Sequence, residues 1–150
     1  MEASVRPQAD AWAHGVRILG KISKRHPQSE FYGLGISLQF EWQYLQRTVP
    51  IVGIMMVPIE ETLRETLVPT LFGGVEVDTD FRKTLGHSVN RGGLGITDPL
   101  PSEESVYDTS NSASGELVGT ILGGTGLNYE GHRACIRRST AGARKERYYS

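Results

Sequence analysis

Apolar residues recur at helical spacing over most of the chain, and few stretches alternate in the manner of a strand. Between residues 8 and 25, Trp12, Val16, Leu19 and Ile22 fall three or four apart, the spacing of one helix face. Lys21, Lys24 and Arg25 occupy the last turn, where cations suit the negative end, and Pro27 stops the helix. A second helix is predicted over residues 28–48. Its seam of Phe31, Leu34, Leu38, Trp42 and Leu45 is the strongest periodic signal in the chain, and Pro50 ends it. Residues 51–57 read as a packed apolar loop. Pro58 then suits the first turn of a third helix, with Glu60 and Glu61 near its positive end and Ile59, Leu63, Leu67 and Leu71 four apart. Glu60 and Arg64 form a favourable i,i+4 pair. Pro69 predicts a distorted or separate last turn.

The second half is punctuated by glycine. Asp78, Thr79 or Asp80 caps a short helix through Leu85. Residues 86–101, with Gly86, Gly92, Gly93, Gly95, Pro99 and Pro101, read as an ordered turn region. Val106, Ala113, Leu117 and Ile121 share a face over residues 102–122, although Asp108, Ser110, Asn111, Ser112, Ser114 and Gly115 oppose a helix there. After Gly123, Gly124 and Gly126, a last basic helix is predicted from about Asn128 to Arg147, frayed at its end. The expected fold is mainly α, a loose bundle of about five helices with Gly/Pro-rich connecting loops. Residues 1–127 form its body and residues 128–150 a basic helix or tail.

Charge changes that picture more than composition does. The net charge of −1 divides into +2 over residues 1–30, −7 over residues 31–129 and +4 over residues 130–150. A basic end beside an acidic middle suits contact with nucleic acid or an acidic partner. Cys135 is the single cysteine, so no intrachain disulfide is available. Residues 1–10 lack an apolar leader core, and no run approaches the roughly 18 apolar residues of a membrane span. These features point to an intracellular chain without membrane contact; whether cytoplasmic or nuclear is open. The 18 glycines and a hydrophobic fraction of 38% suit a small core better than a deep, dry active site.

Candidate chemistry is sparse. Gly92-Gly93-Leu94-Gly95 and Gly123-Gly124-Thr125-Gly126 lack the Lys-Ser/Thr of a phosphate loop and the glycine spacing of a dinucleotide fold, and are expected to be turns. His132 and Cys135 share a helix face, but two ligands do not make a zinc site, and no base is positioned to activate the thiol. Glu60, Glu61, Glu65, Asp78 and Asp80 are accounted for as helix-dipole partners and caps. No catalytic, cofactor-binding or metal-binding set is assigned. Trp12 and Trp42 lie on inner seams and are expected in the core. The site candidates are therefore the basic residues Arg133, Arg137, Arg138, Arg144, Lys145 and Arg147, beside Tyr148 and Tyr149. Such a segment would hold phosphates weakly and without regard to sequence.

An ordered series of short runs carries a resemblance. Pro27-Gln28-Ser29-Glu30-Phe31-Tyr32-Gly33-Leu34 is followed by Ser37-Leu38-Gln39-Phe40-Glu41-Trp42-Gln43-Tyr44-Leu45-Gln46-Arg47. Pro58-Ile59-Glu60, Leu63-Arg64-Glu65 and Pro69-Thr70-Leu71-Phe72-Gly73 come next. Gly92-Gly93-Leu94-Gly95-Ile96 with Asp98-Pro99, then Leu117-Val118 and His132-Arg133-Ala134, complete it. The series, over about residues 12–147, resembles the segment just after the reverse transcriptase domain of some retrotransposon polyproteins. The resemblance implies a helical thumb or connecting part that supports a polymerase palm and lies along the primer–template duplex. His87-Ser88-Val89 departs from the Leu-Pro-Val usual before the Gly-Gly-Leu-Gly-Ile stretch. No Tyr/Phe-x-Asp-Asp motif occurs, so the carboxylates that hold two metals in a polymerase are missing.

Taken together, the expectation is a non-catalytic fragment of a retroelement reverse transcriptase, part of an RNA-directed DNA polymerase only in the full-length protein. It would support primer–template positioning there or survive as a remnant without activity. Its expected partners are nucleic acid and a reverse transcriptase palm. The alternative is a small independent helical protein-interaction module whose acidic middle and basic tail meet a protein partner.

Overall fold

The computed structural model describes residues 2–50, 52–100 and 103–149, of which 2–4, 103–105 and 142–149 are described as backbone alone. The described chain is a bundle of helices with no strand. Helix α1 spans Glu2–Ser23, α2 Pro27–Gly33, α3 Gln39–Thr48, α4 Gly53–Thr62, α5 Val68–Leu71, α6 Thr79–Gly86, α7 Glu103–Gly123 and α8 Tyr129–Tyr149. A wide π-helical turn, Leu34–Leu38, joins α2 to α3. A second, Leu63–Leu67, joins α4 to α5, so each pair continues as one rod. The mainly α expectation holds.

Helix α1 is the centre of the bundle. It packs against α4, α5 and their wide turn on one side and against α2 and the first wide turn on another. Its buried face is Val5, Ala9, Trp12, Ala13, Val16 and Ser23, whereas Ile22 is 45% exposed. This corrects the expected seam, which ended on Ile22. Small residues set the face instead: a Cβ on Gly20 would stand 2.8 Å from the Thr66 side chain, so glycine there lets α1 close onto the second wide turn. On the α2–α3 rod, Leu34 and Trp42 are fully buried, and Phe31, Leu38 and Leu45 pack against them.

Of two proline expectations, one is corrected and one holds in part. Residues 53–57 are helical rather than loop, so Pro58 lies inside α4 instead of opening a helix. Its ring forfeits one backbone hydrogen bond, and burial of Met55, Met56 and Ile59 offsets that loss. At Pro69 the expected distortion is present, and the last turn stays attached. The chain widens over Leu63–Leu67 immediately before it, which relieves the clash between a proline ring and the carbonyl four residues earlier. A further departure lies in α7, which is one unbroken helix despite its Asp-Thr-Ser-Asn-Ser stretch. Packing against α3 and α8 overrides the local propensity. Asp78 caps α6 as expected, its Oδ1 accepting from the Phe81 N–H at 2.7 Å.

Between α6 and α7 the chain crosses α3 as an extended segment, and side chains bind its backbone. Gln39 Nε2 donates to the Gly95 carbonyl (2.9 Å) and Gln46 Nε2 to the Pro99 carbonyl (2.6 Å). Gln43 Nε2 donates to Thr97 Oγ1 (3.0 Å), while Gln39 Oε1 accepts from the Thr97 N–H. Three glutamines at i, i+4 and i+7 on α3 thus hold the extended segment over residues 95–99.

Candidate nucleic-acid interface

The basic residues singled out from sequence lie on α8. That helix packs against α7, and α7 in turn rests on α3, so the two form an arm on the bundle. The hairpin between them turns at Gly124, which holds a φ of +60°. Arg133, Arg137 and Arg138 are exposed. Arg133 and Arg137 are one turn apart, about 6 Å along the axis, and Arg144 follows at i+11 on the same unbroken helix. The Arg133 guanidinium lies 5.7 Å from the Tyr129 ring centre, a cation–π contact that orients it. Arg138 stands a quarter turn further round and donates weakly to the Ala134 carbonyl at 3.4 Å. The side chains of Arg144, Lys145, Arg147, Tyr148 and Tyr149 lie outside the described residues. Two ion pairs are present among the described residues, and both converge on Glu60, so none engages the arginines of α8.

The side of α8 that carries Cys135 faces inward. The Cys135 thiol donates to the Ser112 carbonyl at 3.0 Å, tying α8 to α7, and His132 is half-buried beside it. No group of three or more His, Cys, Asp or Glu able to hold a metal occurs among the described residues. The carboxylates weighed for acid–base work separate. Glu61 and Glu65 point to solvent, Asp78 caps α6, and Glu60 turns into the interior. Both glycine clusters serve as turns. Gly92 and Gly95 hold φ values of +79° and +69°, and Gly93 packs against the end of α6.

Sequence reasoning missed Arg82. It is 1% exposed, and its Nε and Nη2 donate to the two Glu60 oxygens while Nη1 and Nη2 also donate to the Ile96 and Thr97 carbonyls. No periodic or motif signal marks a surface-type residue that folding carries inward. Glu30 was missed too. It is 1% exposed with neither carboxylate oxygen hydrogen-bonded, and burial pushes its carboxyl up to about 7.

An open cavity of about 460 Å³ lies between α1 and α3, lined by Gln8, Trp12, Phe40, Glu41, Tyr44 and Leu45. Its one carboxylate, Glu41, accepts from Trp12 Nε1 at 2.7 Å. A single, already engaged carboxylate is no acid–base pair. No described helix is long and apolar enough to cross a membrane. Protein-family models, curated proteins and solved structures yield no match to this chain.

Proposed function

We propose that this chain is a non-catalytic supporting segment of a retroelement reverse transcriptase, of the thumb or connection kind, that holds nucleic acid by its backbone. In the full protein it positions primer and template beside a palm. The observation that carries the reading is the arginine row of α8: Arg133 and Arg137 are exposed and in no ion pair among the described residues, and Arg144 continues their register. A straight cationic row tracks phosphates without reading base edges. The reading is further supported by the ordered series of motifs from Pro27 to Ala134.

Fluorescence anisotropy on DNA duplex and RNA–DNA hybrid, at two salt concentrations, tests it. Three engaged phosphates give a log–log salt slope of about −3 on duplex. Affinity should be micromolar or weaker, since the −7 stretch over residues 31–129 opposes the same polymer. Changing Arg133, Arg137 and Arg144 to alanine should remove most of the slope. Unchanged binding in that triple variant sinks the proposal.

The second reading, an independent helical interaction module, is favoured by a different observation. Ile121 and Leu122 near the tip of the arm are 70% and 83% exposed. Exposed apolar residues grouped in this way mark contact with another protein.

A further inference from the structure

The α7–α8 arm is an incomplete core. From residue 106 to 141 no residue is buried, whereas α4, half the length of α7, buries six. Helix α3 is the one further layer against α7, and it leaves part of an apolar stripe uncovered, although most helical stability comes from such burial. Leu117, Val118, Ile121 and Leu122 sit at helical spacing on α7, from 36% to 83% exposed. Leu127 in the turn and Tyr129 and Ile136 on α8 remain exposed as well.

Charge on the arm is as uneven as its burial. Helix α7 contains Glu103, Glu104, Asp108 and Glu116 and no lysine or arginine, a charge of −4. Helix α8 contains six Lys/Arg and two glutamates, a charge of +4. No ion pair joins the two among the described residues. The occupant of this surface must therefore bring an apolar face flanked by a basic helix on one side and an acidic helix on the other. A second copy of the same arm brings both.

We propose that the arm is a self-association surface: two copies pack arm to arm about a two-fold axis as a four-helix bundle, α7 of each against α8 of the other. A two-fold axis presents the same patch from both sides, so the acidic and basic helices meet twice. Antiparallel four-helix packing accommodates helices of this length. Two helices of 21 residues form a face about 30 Å long and 20 Å wide, on the order of 600 Å² in projection, close to the roughly 800 Å² per partner of a stable interface. The surface shares the basic helix α8 with the arginine row, but its apolar stripe lies on α7, and the inference does not rest on nucleic-acid binding.

The test uses the full chain free of nucleic acid, in size-exclusion chromatography with light scattering and in sedimentation, from low micromolar to high micromolar concentration. The expected result is a monomer–dimer equilibrium. Ile121→Asp with Leu122→Asp should shift it to monomer, at least about tenfold weaker, with helix content by circular dichroism unchanged, since both side chains are largely exposed. Asp108→Arg alone and Arg138→Glu alone should each weaken association, and an equimolar mixture of the two should restore it, because each heterologous contact then joins opposite charges. Monomer at every concentration overturns the proposal and assigns the arm to a different partner. A dimer insensitive to Ile121→Asp with Leu122→Asp overturns it as well, since the contact then lies elsewhere on the bundle.

Discussion

Arg82 on α6 and Glu60 on α4 meet in the interior through two parallel bonds, Nε to Oε1 at 2.8 Å and Nη2 to Oε2 at 2.7 Å. Arg64, one turn further along the same rod, donates to the same Oε1 at 3.0 Å. Two further Arg82 protons reach the Ile96 and Thr97 carbonyls. One guanidinium thus neutralises a buried carboxylate and satisfies a stretch of backbone that has no strand partner.

Arg82→Met is therefore expected to be far more costly than an average substitution. It leaves Glu60 buried with Arg64 as its one cationic partner, and breaking a buried pair from one side costs about 3–5 kcal/mol. The double variant Arg82→Met with Glu60→Leu should recover part of that loss but not all. The Ile96 and Thr97 carbonyls remain without their donor, each at about 1–3 kcal/mol when buried. A double-mutant cycle by urea denaturation measures both. An Arg82→Met protein within about 0.5 kcal/mol of the parent, the range of ordinary surface changes, would refute the assignment.

Trp42 separates packing from hydrogen bonding. It is fully buried, and its Nε1 has no partner. Trp42→Ala should cost about 3–5 kcal/mol through the cavity it leaves. Trp42→Phe keeps an aromatic ring and removes an unsatisfied donor, so its cost should be well under half of that. Thermal melts of the two variants give the comparison.

How much of this was legible depends on which force fixed each residue. The seam from Phe31 to Leu45 follows from bulk apolar spacing, and it packs as the spacing implies. The inner face of α1 depends on Ala9, Ala13, Gly20 and Ser23, whose value lies in being small beside a neighbour. A period of large apolar residues does not register them, and so that period puts Ile22 inside. Arg82 and Glu30 are buried by their tertiary surroundings, against their usual preference for water. The basic row of α8 was readable because the i, i+4, i+11 register depends on helix geometry alone. The incomplete core of the arm is not readable, because Leu117 and Ile121 carry an ordinary core pattern and their exposure appears only in three dimensions.

Glu30 predicts a pH dependence whose sign can be worked out. Its folded carboxyl titrates near 7, against 4.5 for the ordinary value. The folded chain therefore holds a proton that the unfolded chain has released between those values. The stability this proton supplies is present below about pH 4.5 and is lost as pH rises through about 7. Desolvation is the cause, and at about 1.4 kcal/mol per unit the effect is a few kcal/mol at most. Glu30→Gln removes the ionisation at nearly constant shape, so it should raise the melting temperature at pH 8 and flatten the profile between pH 4.5 and 7. A parent profile with no decline across that window that Glu30→Gln removes would show that Glu30 reaches water.

The glycine substitutions at positions 93 and 115 should move stability in opposite directions, and the contrast tests the turn after α6. Gly93 lies outside the left-handed region, so an alanine there meets no backbone strain. What it meets is backbone: a Cβ would overlap the His87 carbonyl and stand 2.6 Å from the Thr84 carbonyl oxygen. Those atoms belong to the end of α6 and its first turn beyond, which the Leu85 and His87 carbonyls pin to the N–H groups of Leu94, Gly95 and Ile96. They cannot swing aside as a flexible side chain would, so relief requires displacing residues 93–96 and loosening Ile96 and the Arg82 contacts that depend on it. Overpacking of this kind typically costs about 1–3 kcal/mol. Gly115 lies mid-helix on the exposed side of α7 with open space at its Cβ position. Alanine there reduces the freedom of the unfolded chain and should stabilise by up to about 1 kcal/mol. Measured side by side in urea, Gly93→Ala should lower the midpoint and Gly115→Ala raise it. Equal small gains at both positions would mean that the 92–96 turn does not press on the end of α6.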